Sequence, residues 1–244
     1  MSETLARQLA IETRLKLGLQ SIEYLDVLRS IEAFNICCIK RPLESSISGA
    51  TVKTQRVRCI FVNSSKTLGH QHFTIAHELF HCLCDTELVN RLCKTEQLSN
   101  PAQNEELADL FAKHLLMPED GILYQLMQLG IKDKPLTLSN IVNLEQFFGV
   151  SRRSMCRRLE GMKLISRDET NNFCLDVISG VLRLGKPVDL YKPTNDKVLI
   201  SDYAAKAQQA FDCNLITASK YEEILADADL LDIINQEDTL DVVD

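Results

Sequence analysis

The chain has 244 residues, enough to bury a sizeable core in one or two domains. Its 45% hydrophobic and 25% charged residues are the balance of an ordinary soluble globular protein. A formal net charge of −7 argues against a general nucleic-acid binder, which needs a basic surface to displace counterions from phosphates. The nine cysteines follow no framework spacing: Cys37-Cys38 and Cys82-Leu83-Cys84 are too close for easy bridges, and the others are scattered. No secretory signal is visible, since the N-terminus reads as a polar amphipathic helix, and no apolar run approaches the roughly 20 residues that span a bilayer. These features point to a reducing cytoplasm and free thiols.

In chain order, residues 4–17 read as a helix with Leu5, Leu9, Ile11, Leu15 and Leu19 at helical spacing. Ser21 is a plausible N-cap for a second helix carrying Ile22, Leu25, Leu28 and Ile31. Residues 35–39 and 48–52 suit short strands, and residues 57–62, rich in β-branched and aromatic side chains, are the best strand candidate. Helices are expected over 69–84 and 104–117, the second stopped by Pro118, and a shorter one over 121–129. Lys134-Pro135 marks a boundary, after which 139–148 and 151–161 read as two short helices joined at Gly149. Further helices fall near 201–211 and 218–226. The end is acidic, with Asp227, Asp229, Asp232, Glu237, Asp238, Asp241 and Asp244.

The chemistry concentrates in the first long helix. His77 and His81, four residues apart, share one helix face with side chains about 5–6 Å apart at the base. Both imidazoles can then converge on one Zn²⁺ at roughly 2.0–2.1 Å. Glu78 lies between them, turned slightly around the helix, where it can take a proton from a water whose pKa the metal lowers. Phe73, Ala76, Phe80 and Leu83 form an adjoining stripe that would fix the helix in the core. The alternative is that the two histidines are ordinary helix residues held by hydrogen bonds.

A catalytic zinc site needs a third protein ligand and an open position. Glu105, at the start of the second long helix, is the candidate, and Asp109, one turn on, could accept the spare N–H of a ligand histidine and fix its tautomer. Glu106 is the rival, but its i+4 partner is Leu110, which offers no such acceptor. Without a metal, Glu105 would be a solvated first-turn glutamate favoured by the helix dipole. Cys82 and Cys84 face different sides and no distant cysteine pair matches them, so they are expected to be core thiols.

The segments His72-Phe73-Thr74-Ile75-Ala76-His77-Glu78-Leu79-Phe80-His81 and Glu105-Glu106-Leu107-Ala108-Asp109-Leu110-Phe111-Ala112-Lys113-His114-Leu115-Leu116-Met117-Pro118, in that order, resemble the ImmA/IrrE family of zinc metallopeptidases. Asp109 stands where that family usually has Asn, which keeps an acceptor and adds charge. Ser48-Gly49 followed by the strand at 57–63 also resembles the family's approach to its active-site helix. The resemblance is strong over residues 20–120 and weaker to about 165. It implies an α+β zincin-like domain, an active-site helix beneath a small mixed sheet, and an edge strand near residues 57–62 that pairs with an extended substrate. Several family members cleave a helix-turn-helix repressor and so switch on stress or mobile-element genes. The resemblance therefore implies a selective regulatory peptidase with a protein substrate. The oxyanion formed during attack needs stabilisation beyond zinc; of His70, His72, His114 and Tyr124, His114 is taken as the candidate.

Residues 138–165 carry Ile141, Leu144, Phe147 and Phe148, then a turn and a helix holding Arg152, Arg153, Arg157 and Arg158 as a local basic face. That face reads either as a DNA-contacting helix, as a surface docking a repressor, or as a packed hairpin with solvated or paired arginines. The packed hairpin is the expectation, with partner docking ahead of direct DNA binding.

The expected organisation is a zincin-like metallopeptidase domain over 1–135, a helix-turn-helix-like segment over 136–168 and a helical C-terminal region with an acidic tail over 169–244. The expected function is zinc-dependent hydrolysis of a peptide bond in a specific protein, with metal ligands His77, His81 and Glu105, catalytic Glu78 and His114, a cytoplasmic location and no membrane partner. The alternative is a non-proteolytic regulator that binds a repressor or DNA, or a toxin–antitoxin component, with a structural or vestigial zinc site. The intact Glu78 counts against it, because a structural site has no use for a general base.

Overall fold

The structure, a computed structural model, describes residues 2–55, 57–85, 101–131 and 135–227. Lys134 and the acidic tail after residue 227 lie outside the described residues. The chain divides into two compact units, Met1–Val198 and Leu199–Asp244.

In the first unit, α1 (Ser2–Lys16) and α2 (Val27–Ala33) precede strands β1 (Cys37–Arg41), β2 (Gly49–Lys53) and β3 (Arg58–Asn63). Two long helices follow, α3 (Leu68–Leu83) and α4 (Pro101–Leu116), then α5 (Glu119–Gln128), α6 (Leu138–Phe148), α7 (Arg152–Gly161), α8 (Arg167–Phe173) and α9 (Val177–Arg183). A 3₁₀ turn (Asp189–Tyr191) follows, and β4 (Val198–Ile200) starts at the last residue of this unit. The second unit holds α10 (Tyr203–Asp212) and α11 (Ala218–Asp227), which meet through stacked Phe211 and Tyr221 rings 5.1 Å apart. The architecture is α+β, a small mixed sheet with helices and a helical C-terminal part, as the sequence implies.

The sheet order is β2-β3-β1-β4. β1 runs parallel to β3 with Cys37 opposite Cys59, and β2 runs antiparallel to β3 with Gly49 opposite Val62. The expected edge strand at 57–62 is therefore corrected: β3 is flanked on both sides, and β2 is the edge strand next to it. The composition that makes residues 57–62 the best strand candidate also draws β3 inward, with Ile60 and Val62 fully buried.

Two local expectations change in a similar way. The second helix starts after Asp26, whose carboxylate accepts the N–H groups of Leu28 and Arg29, not after Ser21. In α1 the buried side is Ala6, Ala10, Thr13 and Arg14, whereas Leu5, Ile11 and Leu15 face outward. Arg14 can be buried because it donates to four carbonyl contacts, on Leu115, Glu23 and twice on Gln20. Burial still pulls its guanidinium down to about 10.

The hairpin of α6 and α7 packs into the first unit. Ser151 caps α7 through the N–H of Ser154, as expected, and Thr137 with Asn140 forms a capping box on α6. The expected four-arginine face is split. Arg152 is buried and grips Glu145 with two hydrogen bonds of 2.6 and 2.7 Å, while Tyr191 donates to the same carboxylate. Arg158 is buried too and donates to the carbonyl of Met117. Only Arg153 and Arg157 of the four are exposed. The inward pair, Arg152 and Arg158, lie six residues apart, and the exposed pair, Arg153 and Arg157, lie one turn apart.

α8 and α9, seven residues each, are too short to show a helical period; the Ser166–Glu169 capping box is their one readable signal. Among the described residues no helix is long and apolar enough to cross a membrane.

Because Glu145 is fully buried, truncating it strands the Arg152 charge. Glu145→Ala is expected to cost about 3–5 kcal/mol in denaturant unfolding, and adding Arg152→Met is expected to restore part of that loss.

Candidate metal centre

α3 is built to be covered on most sides. Ile75, Ala76, Leu79 and Phe80 are buried, and the rings of Phe80 and Phe111 lie 5.6 Å apart between α3 and α4. Phe73 and Leu83, expected in the buried stripe, are half-buried. The first turn of α3 meets the hairpin at Gly69, where a Cβ would stand 2.7 Å from the backbone nitrogen of Ser151. His72 fastens the same contact by donating from Nδ1 to the carbonyl of Gly149 at 2.7 Å. The C-terminal end of α4, where helix carbonyls lack partners, is held by Arg14 on Leu115 O and by Arg158 on the following Met117 O.

This packing sets His77 and His81 of α3 against Glu105 and Asp109 of α4. His77 Nδ1 lies 2.9 Å from Asp109 Oδ1, and His81 Nδ1 lies 3.2 Å from Asp85 Oδ2. Carboxylates only accept, so each ring, when neutral, carries its proton on Nδ1 and presents a bare Nε2 lone pair. Those two Nε2 atoms are 3.3 Å apart, with Glu105 oxygens 3.1 Å from His77 Nε2 and 3.6 Å from His81 Nε2. With both rings neutral, three acceptors thus face one another within 4.8 Å. Two imidazoles and a carboxylate are the donor set of a catalytic divalent metal, and a cation relieves their mutual repulsion. Burial alone would pull His77 down, but the Asp109 hydrogen bond and the charges of Glu78, Asp109 and Glu105 hold it above its ordinary value. The same negative surroundings favour a metal cation. The Glu105 and Asp109 side chains are 57% and 65% exposed, so the centre opens toward solvent on the α4 side.

Strand β2 closes the other side. Its alternate residues Gly49, Thr51 and Lys53 point one way, toward α3, while Ala50 and Val52 are exposed. A Cβ on Gly49 would lie 2.4 Å from the Thr74 methyl and 3.1 Å from Glu78 Oε1, so glycine admits the carboxylate. Thr51 donates its hydroxyl to Glu78 Oε2 at 2.7 Å. Lys53 donates to the carbonyls of Asp85 and His81 at 2.8 and 3.3 Å, tying the end of α3 to the strand. Glu78 is only 8% exposed and sits beside, not within, the three-residue donor group.

His77, His81, Glu105, Asp109 and Glu78 are therefore brought together. His114 is not. It is buried among α1, α4 and α7, where Nε2 donates to Glu3 at 2.8 Å and Nδ1 accepts from Arg158 at 3.4 Å. Burial and the Arg158 charge hold its imidazole below the ordinary value. Nine residues after Glu105, it projects from the opposite end of α4. His70 bonds Ser48, and Tyr124 is half-buried on α5 with no hydrogen bond to the centre among the described residues. Cys82 is buried, and burial pushes its thiol up to about 11; Cys84 is half-buried.

The family model of the IrrE N-terminal-like domain, Peptidase_M78, matches residues 31–160. The chain belongs to this family. A comparison with curated proteins finds no match. The M78 match begins within α2 and covers β1 to β3, both helices of the centre and the α6–α7 hairpin, so the hairpin that abuts Gly69 falls inside the M78 stretch. Membership supports a metallopeptidase, and with it a peptide or protein substrate.

Asp85, Thr51 and Lys53 were not singled out by the sequence. Asp85 was readable, since it stands four residues after His81, as Asp109 stands four after Glu105. The β2 residues needed the strand register. Asp109→Ala, on an exposed side chain, is expected to lower affinity for a divalent transition metal about 10–100-fold in a competitive chelator titration, with the melting curve unchanged.

Proposed function

We propose that the chain is a zinc-dependent peptidase that cuts a peptide bond in one protein substrate, a helix-turn-helix repressor. The observation that carries the hydrolytic reading is the pairing of a two-histidine, one-glutamate donor group with a buried Glu78 beside it, hydrogen-bonded to an edge strand. His77, His81 and Glu105 would hold the metal. Zinc, when bound, would supply Lewis-acid polarisation and acidify water.

The chain's own groups divide the remaining work. Asp109 and Asp85 keep the two Nε2 atoms available by holding the protons on Nδ1. Glu78 takes the proton of the attacking water on Oε1, while Thr51 restrains Oε2, and then hands it to the leaving amine. The main chain of β2, at the sheet edge, can add an extended substrate strand alongside this carboxylate. A purely structural metal site would need neither the buried base nor its hydroxyl partner. The free thiols of the described cysteines support a reducing cytoplasm. The repressor as substrate rests on the family resemblance.

The test is co-incubation with helix-turn-helix repressors encoded beside the gene, with and without chelator. Chelator-sensitive cutting of one of them is expected; cutting that survives metal removal overturns the reading. Glu78→Gln is expected to keep the metal and lose at least about 100-fold in kcat. Thr51→Val is expected to lower kcat about tenfold with KM little changed, because it frees the base without touching the substrate.

A further inference from the structure

The face formed by α7 and α8 carries a concavity of about 500 Å³ that shares no residue with the metal centre. Arg153 and Arg157, one turn apart on α7, and Arg167 on α8 line it together with Glu160, Thr170 and Asn171. Arg152 and Arg158 of the same helix are consumed by Glu145, Phe173 O and Met117 O. Arg153, Arg157 and Arg167, in contrast, have no hydrogen-bond or ion-pair partner among the described residues. Three guanidiniums against one carboxylate make a local positive site on a chain whose net charge is −7.

A second observation points to the same place. Thr170, 8% exposed and on the groove lining, has the one buried side-chain polar atom without a hydrogen-bond partner among the described residues. Buried hydroxyls are nearly always paired, and this orphan on a residue of the groove lining is a donor in want of an acceptor.

We propose that this groove binds a small phosphorylated anion, of the size of a nucleoside di- or triphosphate. The guanidinium fork matches pairs of phosphate oxygens, and guanidiniums from two helices can grip successive phosphates. Thr170 and Asn171 add neutral donors, and Glu160 offers an acceptor for a ligand hydroxyl of the kind a ribose carries. The volume lies in the range of small-ligand pockets, about 300–1,000 Å³. Duplex DNA is the weaker fit, because its phosphates need an extended basic surface. Here the free cations gather in one hollow, and two of the four α7 arginines are turned inward.

The experiment is isothermal titration calorimetry of the full chain, freed of metal and kept in chelator so that the metal centre cannot take up the anion. The probes are adenosine triphosphate, inorganic triphosphate and inorganic phosphate. Saturable one-to-one binding of the two triphosphates is expected, with phosphate weaker. Arg153→Gln/Arg157→Gln and Arg167→Gln should each weaken triphosphate binding at least tenfold. Both should keep the wild-type melting curve, since the replaced side chains make no hydrogen bond or ion pair among the described residues. Equal affinity of the two triphosphates assigns recognition to the phosphate chain, and tighter binding of the nucleotide adds the nucleoside; both support the site. Absence of binding, or affinity unchanged in the arginine variants, overturns it. So does a 20-base-pair duplex or a hexaglutamate peptide that binds through these arginines more tightly than triphosphate.

Discussion

The hydrogen bonds from His77 Nδ1 to Asp109 and from His81 Nδ1 to Asp85 leave two Nε2 lone pairs facing each other at 3.3 Å. With both rings neutral and no cation that arrangement is repulsive, so the surrounding packing has to impose it. His81 is oriented from its own chain end, four residues on. His77 is oriented from α4, a separate helix. The distance between α3 and α4 therefore decides whether there is a site at all. Buried Ala76, Ala108 and Ala112, with the Phe80–Phe111 contact, are consistent with two helix backbones that approach closely along this seam. The anchoring of α4 by Arg14 and Arg158 at its far end fixes its position along the seam.

Strand β2 imposes the complementary constraint. A pleated strand presents every second residue to one side, and here three consecutive inward positions meet α3 in three different ways. Gly49 supplies room, Thr51 a hydrogen bond and Lys53 a link to the carbonyls at the helix end. A register slip of one residue would replace them with Ala50 and Val52 and remove all three functions at once. The pairing of β2 with the buried β3 is thus tied to the placement of Glu78, although no β2 residue belongs to the donor group.

How much of this was legible in the sequence follows from the range of each interaction. His77 with His81, and Glu105 with Asp109, are helix repeats of four, which a string of residues displays directly. Asp85 obeys the same rule and was legible, but it lies beyond the last histidine, outside the motif. Thr51 and Lys53 were illegible because a strand's partners depend on register and not on spacing. The inverted face of α1 was illegible for another reason: the leucine pattern predicts burial of Leu5, Ile11 and Leu15, but Arg14 finds carbonyl acceptors on Gln20, Glu23 and Leu115 and takes the inner position. His114 shows the limit of proximity in sequence. It lies in the same helix as Glu105, but nine residues is two and a half turns, and the ring ends among α1 and α7 instead of at the centre.

The arginine-bearing hairpin illustrates how packing reassigns charge. Read along the chain, Arg152, Arg153, Arg157 and Arg158 form one basic run on one helix. In the fold, Arg152 neutralises a fully buried Glu145 and Arg158 satisfies a carbonyl just past the end of α4, so these two hold the scaffold of the metal centre in place. The close approach at Gly69 and the His72–Gly149 hydrogen bond make the hairpin a wall against which α3 is set. A helix committed in this way cannot swing its buried side into a DNA groove without dismantling the buried Glu145–Arg152 pair. What it retains for recognition is the outer pair, Arg153 and Arg157, and their chemistry is set by what α8 places beside them.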